Sequence, residues 1–320
     1  MKWLVTGGAG YIGSVVAHLL VAAGDDVVIL DDLSGGHATA VPPQARLVEG
    51  RVHDMADSAL DATFDGVLHF AAFISAGESV GAPEKYWENN LVGSLRLLDA
   101  MRRHGVGRLV FSSTANVYGN PERVPIPETA PAWPPNPYAA SKLAVDHALD
   151  GEATGHALAA ISLRYFNVVG AHRTDRGLIG EGHDPETHLV PLALAVAAGH
   201  REKLQLYGDD YPTADGTCVR DYIHVSDLAA AHLLALRALT PGTHRIYNLG
   251  NGRGFSNRQV IDVVREVTGR DIPLEVTGRR AGDPAVLVAS SERARNELGW
   301  QPRHPELHRM VGDAWEFYSA

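Results

Sequence analysis

The stretch over residues 2–31 constrains the fold more than any other. Lys2-Trp3-Leu4-Val5 reads as a short buried strand and runs directly into Gly7-Gly8-Ala9-Gly10-Tyr11-Ile12-Gly13. Across residues 11–23 the apolar side chains Ile12, Val15, Val16, Leu19, Leu20 and Ala23 recur at helical spacing. Asp26-Val27-Val28-Ile29-Leu30 supplies a second strand, which ends at Asp31, 18 residues after Gly13. Strand, glycine turn and helix in succession aim backbone amides at one point, and Gly7, Gly10 and Gly13 let a pyrophosphate approach the helix N-terminus there. An acid closing the second strand can accept hydrogen bonds from a ribose diol. It also repels a 2′-phosphate, which favours NAD over NADP.

Further strand signals lie at Arg46-Leu47-Val48-Glu49, Gly66-Val67-Leu68-His69-Phe70-Ala71 and Arg108-Leu109-Val110-Phe111-Ser112. Between the last two, residues 84–103 carry helical periodicity through Tyr86, Leu91, Leu95, Leu98 and Met101. Alternating strands and helices predict an α/β fold with a mostly parallel, doubly wound sheet, whose ligands collect beyond the strand carboxyl ends. Asp31, Ala71-Ala72, Ser112-Ser113-Thr114 and Asn167 would lie along that edge. After Gly170 the character changes: residues 171–188 are polar and glycine-rich and read as a long functional loop. Helices are expected over 188–198, over 225–239 and from near Ser256, with a strand at 203–207 and turns at 211–217 and at Gly250-Asn251-Gly252. The predicted organisation is a dinucleotide-binding domain over 1–170, to which the helix near 226–239 returns, and a smaller mixed α/β lobe over most of 171–320.

Composition closes off several functions. A chain of 320 residues with 45% hydrophobic content can bury a large core. Its formal charge of -10 argues against a nucleic-acid surface, which needs clustered Lys and Arg. The apolar start breaks at Thr6-Gly7-Gly8, too early for a signal peptide, and no segment approaches membrane-spanning length, so a cytoplasmic location with no membrane partner is expected. Cys218 is the only cysteine, which rules out an intramolecular disulfide and argues against a thiolate metal site; it reads as a buried or bystander thiol. The 16 histidines are scattered without His-x3-His or HExxH spacing, so they read as surface and hydrogen-bonding residues, and no metal is expected.

The chemistry points to Asn136-Pro137-Tyr138-Ala139-Ala140-Ser141-Lys142. Asn136 suits a helix N-cap and Pro137 the first helical position, which puts Tyr138 and Lys142 four residues apart on one helix face. A phenol titrates near pH ~10, too high for a base at neutral pH. A fixed cation beside it would stabilise the phenolate and lower that value, making Tyr138 an acid/base group held by Lys142.

Taken together, Gly7 to Gly13, Thr114 with Tyr138 and Lys142, Arg164-Tyr165-Phe166-Asn167-Val168-Val169-Gly170-Ala171-His172, Val219-Arg220-Asp221-Tyr222-Ile223-His224-Val225 and Arg279-Arg280-Ala281-Gly282-Asp283-Pro284 resemble the UDP-glucose 4-epimerases of the extended short-chain dehydrogenase/reductase family. The resemblance implies a Rossmann domain with a UDP-sugar lobe, NAD as cofactor, and isomerisation of UDP-glucose and UDP-galactose at C4 through a transient 4-keto sugar and enzyme-bound NADH. Tyr138 would exchange the proton of the 4-hydroxyl, Lys142 would hold the nicotinamide ribose, and Thr114 would relay the proton. Gly7, Gly10, Tyr11, Ile12, Gly13, Asp31, Ala71, Asn89, Ser112, Tyr138, Lys142 and Tyr165 would contact NAD. Thr114, Tyr138, Asn167, His188, Leu189, Gln205, Tyr207, Arg220, Arg280 and Asp283 would contact the UDP-sugar, with Arg220 and Arg280 on the diphosphate and Tyr207 stacked on uracil. Such enzymes commonly form homodimers, here through helices near 84–103 and 137–154.

Departures from the family pattern bear on function. Ala71-Ala72-Phe73-Ile74 lacks the lysine often found near the cofactor phosphates, and Arg51 stands where an acid often accepts from the adenine amine. Arginine cannot accept, so weaker NAD retention is expected. The resemblance places Leu287, four residues after Asp283, at the family's sugar-pocket gate, where small residues admit N-acetylhexosamines, so it would hinder an N-acetylated sugar. The rival reactions are epimerisation of a UDP-N-acetylhexosamine or UDP-uronate, dehydration or decarboxylation on the same fold, and NAD sensing without catalysis. Dehydration needs an added acid/base pair after Thr114, where this chain has Ala115 and Asn116. A sensor would be expected to have lost Tyr138 or Lys142.

Overall fold

The computed structural model describes residues 1–280 and 283–320. Ala281 and Gly282, the middle of the motif Arg279 to Pro284, lie outside the described residues. The first half alternates strand and helix: β1 (Lys2–Thr6), α1 (Tyr11–Ala22), β2 (Asp26–Asp31), β3 (Arg46–Glu49), α2 (Val52–Ala59), β4 (Gly66–His69), α3 (Ala76–Gly81), α4 (Pro83–Tyr86), α5 (Gly93–Arg103), β5 (Arg108–Thr114), α6 (Pro137–His156) and β6 (Ala159–Tyr165). The second half holds β7 (Asn167–Val169), β8 (Ala171–Thr174), β9 (Gly177–Gly180), α7 (Leu189–Ala197), β10 (Leu204–Tyr207), β11 (Val219–His224), α8 (Val225–Ala238), β12 (Thr243–Leu249), β13 (Gly254–Ser256), α9 (Asn257–Thr268), β14 (Leu274–Thr277), β15 (Val286–Leu287), α10 (Glu292–Leu298) and α11 (Leu307–Tyr318).

Seven strands form one parallel sheet in the order β12-β6-β5-β4-β1-β2-β3. The chain reverses its winding between β1 and β4, the place where doubly wound sheets open a crevice for ligands. The inner strands β1, β2, β4, β5 and β6 are buried on both faces, so they read as continuous apolar runs instead of alternating ones. One face packs α1 and α8 around Val15, Val16, Leu20, Leu228 and Leu236, and the other packs α2, α5 and α6 around Val52, Leu97, Met101, Val145 and Leu149. A separate core under α7, α9 and α11, with Val190, Leu194, Val260, Val264 and Met310, holds the second lobe.

Three regions and the placement of the histidines differ from the sequence reading. The stretch 171–188 is not one loop: β8 and β9 pair as a tight antiparallel hairpin, with the turn at Asp175-Arg176 and Gly177 at φ +126°, and only 181–188 is irregular. Polar residues on this exposed hairpin hide the strand signal. Residues 84–103 are not one regular helix, because a π-helical turn at Trp87–Val92 separates α4 from α5. The helix near 226–239 returns to the main sheet as α8, as expected, but the strand β12, which no sequence signal marked, joins that sheet beside β6 in full register. Finally, the histidines are not confined to the surface: His69, His224 and His232 are buried. Cys218 is buried too.

Candidate active site

The glycine turn is fixed by sterics at two positions. Gly7 has φ +69°, and a Cβ there would strike the Ala71 backbone; a Cβ on Gly13 would strike the Gly7 carbonyl oxygen. Gly10 is the N-cap of α1 and brings no side chain to it, so the first-turn amides of Tyr11, Ile12 and Gly13 keep their partial positive charge for a ligand. At the end of β2, Asp31 is buried, its Oδ2 accepting from Ala9 N at 2.9 Å and its Oδ1 from Leu33 N at 2.9 Å. Burial pushes its pKa up against those two bonds. The carboxylate is thus held rigidly at the edge of the turn with lone pairs to spare. A cradle without Cβ atoms, an uncapped helix start and a fixed acid fit the pyrophosphate and ribose of a dinucleotide. Tyr11 plays a second part, its hydroxyl donating to Gly170 O at 2.6 Å and tying α1 to the second half of the chain.

The α6 cap forms as expected: Asn136 Oδ1 accepts from Ala139 N at 2.9 Å and Pro137 opens the helix. That start places Tyr138 half-buried and Lys142 fully buried beneath the carboxyl end of β5. Lys142 Nζ donates to Ser112 O at 2.8 Å and lies 4.8 Å from the centre of the Phe111 ring. Ser112 Oγ in turn shares a short hydrogen bond with Tyr165 Oη. Thr114, the last residue of β5, is buried, and its Oγ1 accepts from Asn116 N at 3.1 Å. Ser112, Thr114 and Lys142 are buried together, and the half-buried Tyr138 and Tyr165 close the corner they form.

Electrostatics in this corner differ from the sequence expectation. Burial raises the Tyr138 pKa, with the Thr114 hydroxyl pulling the other way, and burial lowers Lys142 to about 7, opposed by Asp146 one turn along α6. The expected lowering of the phenol by Lys142 does not appear, and the Lys142 hydrogen bond goes to Ser112 O instead of to Tyr138. Behind it, Asp146 accepts from Arg164 Nη2 at 2.7 Å, Arg164 Nη1 donates to Tyr118 Oη at 3.1 Å, and Tyr118 donates to Asn248 Oδ1 at 2.8 Å. This buried chain braces the helix face that carries Lys142.

The π-helical turn explains the paired asparagines. Asn90 is buried and locks the segment after β4 to α6: its Oδ1 accepts from Phe73 N at 2.9 Å, and its Nδ2 donates to Phe73 O at 3.0 Å and to Ser141 Oγ at 3.2 Å. Asn89 is half-buried and donates from Nδ2 to Asn90 Oδ1 at 3.1 Å. The bracing residue is thus Asn90, with Asn89 beside it. Where the family pattern has a lysine, Phe73 sits under the ammonium of Lys85 at 4.1 Å, and Lys85 pairs with Glu78 at 2.7 Å. Ile74 and Arg51 are exposed, Arg51 standing at the N-cap of α2 without a capping bond from its side chain.

The proposed anchor residues fall into two neighbouring groups. On β11, Arg220 donates from Nη2 to Asp283 Oδ1 at 3.1 Å and from Nη1 to Val219 O at 2.9 Å. Asn167 on β7 pairs with Tyr222 two residues farther along the same strand, and Leu287 on β15 pairs with Arg220 itself. Beyond β14, the Arg280 guanidinium lies 3.9 Å from the centre of the Tyr207 ring, and Tyr207 donates to Gln205 Oε1 at 2.7 Å. Arg280 therefore covers one face of Tyr207, and the exposed Gln205 positions Tyr207 through that bond. Leu287 packs with Val117, Tyr118, Ile126, Leu143 and Phe166, next to the segments that carry Thr114 and Lys142. His188 is the N-cap of α7, followed by Leu189, and makes no capping bond; its ring turns toward Glu181 and Glu186.

Comparison with known proteins agrees with this fold. The NAD dependent epimerase/dehydratase family matches residues 3–250. The UDP-glucose 4-epimerase of Corynebacterium glutamicum is 57% identical, over all of this chain and 96% of that protein. The crystal structure of UDP-glucose-4-epimerase from Stenotrophomonas maltophila with bound NAD and formylated UDP-arabinopyranose superposes with a TM-score of 0.93 at 43% identity, over 100% of this chain and 98% of that one. The UDP-Glc/GlcNAc 4-epimerase of Campylobacter jejuni superposes with a TM-score of 0.85 at 38% identity, over 99% of each chain. The chain belongs to the NAD dependent epimerase/dehydratase family, on its UDP-glucose 4-epimerase branch.

Proposed function

We propose that this protein interconverts UDP-glucose and UDP-galactose by inverting C4 of the hexose. The observation that carries the reading is this corner: Thr114, Tyr138 and Lys142 converge at the carboxyl edge of the sheet, beside the glycine cradle after β1. Gly7, Gly10, Gly13 and the amides of Tyr11 and Ile12 hold the NAD pyrophosphate, Asp31 its adenosine ribose, and Ala71, Asn89, Ser112, Lys142 and Tyr165 line its nicotinamide end. When bound, NAD supplies a hydride acceptor and donor, without which a C4–H next to no carbonyl cannot be inverted. Tyr138 accepts the proton of the sugar 4-hydroxyl and returns it, and Thr114 hydrogen-bonds the same oxygen. Lys142 holds the nicotinamide ribose, and only in the loaded site would its charge offset the cost of a buried phenolate.

The sugar must present both faces, so the nucleotide end has to be held. Arg220 and Arg280 bind the diphosphate, Asp283 accepts from the uridine ribose, and Tyr207 stacks the base, with Asn167, Gln205, His188 and Leu189 lining the same end. In this reading residues 1–170, with α8 and β12, carry NAD, and most of 171–320 carries the UDP-sugar. The absence of a carboxyl group at Ala115 and Asn116 disfavours dehydration, and the buried Leu287 disfavours an N-acetylated sugar. Among the described residues no helix is long and apolar enough to cross a membrane, and we place the enzyme in the cytoplasm. Trp87 and Leu95, exposed on the π-helical turn and on α5, support a homodimer through α5 and α6. The test is conversion of UDP-galactose to UDP-glucose by purified protein, first without and then with added NAD. Absence of product in both, with other UDP-sugars also inert, would replace this reading with NAD sensing.

A further inference from the structure

The irregular segment 181–188 reads Glu-Gly-His-Asp-Pro-Glu-Thr-His, and its four ligating side chains fold back on one another. Glu181, His183, Glu186 and His188 each bring one donor atom to a common point, all four within 4.8 Å of one another. His183 Nδ1 lies 3.3 Å from Glu181 Oε1 and 3.6 Å from Glu186 Oε2; His188 Nδ1 lies 2.7 Å from Glu181 Oε1 and 3.2 Å from Glu186 Oε1. Donor atoms around a tetrahedral Zn²⁺ with bonds of about 2.0–2.2 Å stand about 3.3–3.6 Å apart, and the His–carboxylate separations of 2.7 to 3.6 Å fall around that range.

Proximity alone would describe an ion-pair cluster, but the bonding does not. His183 Nδ1, His188 Nδ1 and Glu186 Oε2 are shielded from solvent, yet none makes a hydrogen bond among the described residues. Glu181 keeps only 9% of its side chain exposed. Two imidazole nitrogens converge on one carboxylate oxygen without aligning an N–H to it, an arrangement that wastes hydrogen bonds and suits lone pairs aimed at a central cation. Two neutral imidazoles and two carboxylates would just balance a divalent charge.

We propose that Glu181, His183, Glu186 and His188 form a binding site for one first-row divalent cation of the Zn²⁺ class. The sequence rules for metal sites miss it because the ligands lie on a loop, with His183 and His188 five apart and the acids interleaved. A closed set of four protein ligands makes the site structural, with no position left for substrate. The segment it closes runs along the dinucleotide side of the protein: His183, Gly182 and Ile179 line a cavity with Gly10, Tyr11 and Ser14, and His37 meets Gly182 O at 2.8 Å. The cation would thus clip 181–188 into one shape against the start of α1. This gives the His188 ring to the metal and leaves its main chain, at the start of α7, for the UDP-sugar.

The test is metal loading of the intact protein. Wild type, chelated and then exposed to Zn²⁺ in competition with a chromophoric indicator, should retain one equivalent per chain through gel filtration and gain in Tm. Co²⁺ in its place should show the visible bands of a four-coordinate N/O site. His183→Gln and Glu181→Gln should each weaken binding at least about 100-fold, the scale seen when even outer partners of a metal site are removed. His308→Gln, an exposed pair with Glu266, should leave the stoichiometry at one. No retained equivalent, or the same stoichiometry and affinity in His183→Gln as in wild type, would mean an ion-pair cluster only and overturn the proposal. Because the readout is bound metal, it is independent of whether the protein epimerises any sugar.

Discussion

The corner built by Thr114, Tyr138 and Lys142 and the rim built by Tyr207, Arg220 and Arg280 differ in almost every physical respect. In the corner the cation is buried, desolvated and held by a backbone carbonyl, and its neighbours are locked by Asn90, Asp146 and Arg164. At the rim Arg280 is exposed and stacked on an aromatic ring, and Arg220 is paired with an aspartate whose side chain is 35% exposed. Burial in the corner shifts pKa values strongly, whereas the rim works by charge and shape in partial solvent. The contrast teaches a division of labour: proton transfer needs a fixed, water-poor site, while a substrate that must turn over needs a firm grip only on the part that stays still. The rim should then govern KM and the corner kcat.

Lys142→Met should break the corner most severely. Without the cation, turnover should fall at least about 100-fold, the usual scale for lost acid–base assistance, at nearly constant KM. The same change should raise the Tm of cofactor-free protein, measured by thermal unfolding. The sign follows from burial: the folded pKa of Lys142, about 7, lies below its unfolded value of 10.5, so the folded state holds fewer protons and stability rises with pH across that window. A lower Tm for Lys142→Met would show that the lysine is structural and undo the contrast.

Arg280→Ala should sharpen the contrast from the other side. Losing a charged contact to phosphate, and the stack on Tyr207, should raise KM about 10-fold or more while kcat stays within a few-fold. An equal loss in kcat would mean that the rim shapes the reacting end as well. Leu287→Ala should change discrimination more than rate, improving kcat/KM for UDP-N-acetylglucosamine relative to UDP-glucose by about 10-fold. Unchanged selectivity would remove Leu287 from the sugar pocket.

The smallest effect concerns the packing behind the corner. His232 is fully buried against Phe70 and Tyr165, with Nδ1 facing Leu228 O at 2.9 Å, and burial pushes it down to about 4, the Leu228 carbonyl opposing. Its folded pKa lies below the unfolded 6.5, so its share of stability is present above 6.5 and lost as pH falls through about 4. That share is about 3 kcal/mol at most. Chemical denaturation of His232→Leu should show a shallower loss of stability between pH 6.5 and 4 than wild type, and an unchanged slope would count against it.

Much of this was legible in the residue order, for physical reasons. Gly7 and Gly13 have backbones pressed against them, Asn136 and Pro137 start a helix by local chemistry, and β1 and β2 are long apolar runs. Signals that depend on distant partners were not. The strand β12 contains Thr243, His244 and Arg245, which reads as polar, but beside β6 its His244 bonds Ser162 and its Tyr247 and Leu249 enter the core. The π-helical turn that presents Asn89 and Asn90 has no periodicity of its own. The fall in the Lys142 pKa comes from burial under β5, which spacing along α6 cannot reveal.

The central claim, that the Tyr138 oxygen carries the proton in C4 inversion, is tested most directly by single-turnover conversion of UDP-galactose by Tyr138→Phe, with bound NAD quantified in the same sample. The ring stays and one oxygen leaves, so packing against Tyr86 is kept. NAD occupancy equal to wild type with conversion slowed by about 10²–10⁴-fold or more is the predicted result. Conversion at the wild-type rate with NAD in place would contradict the account.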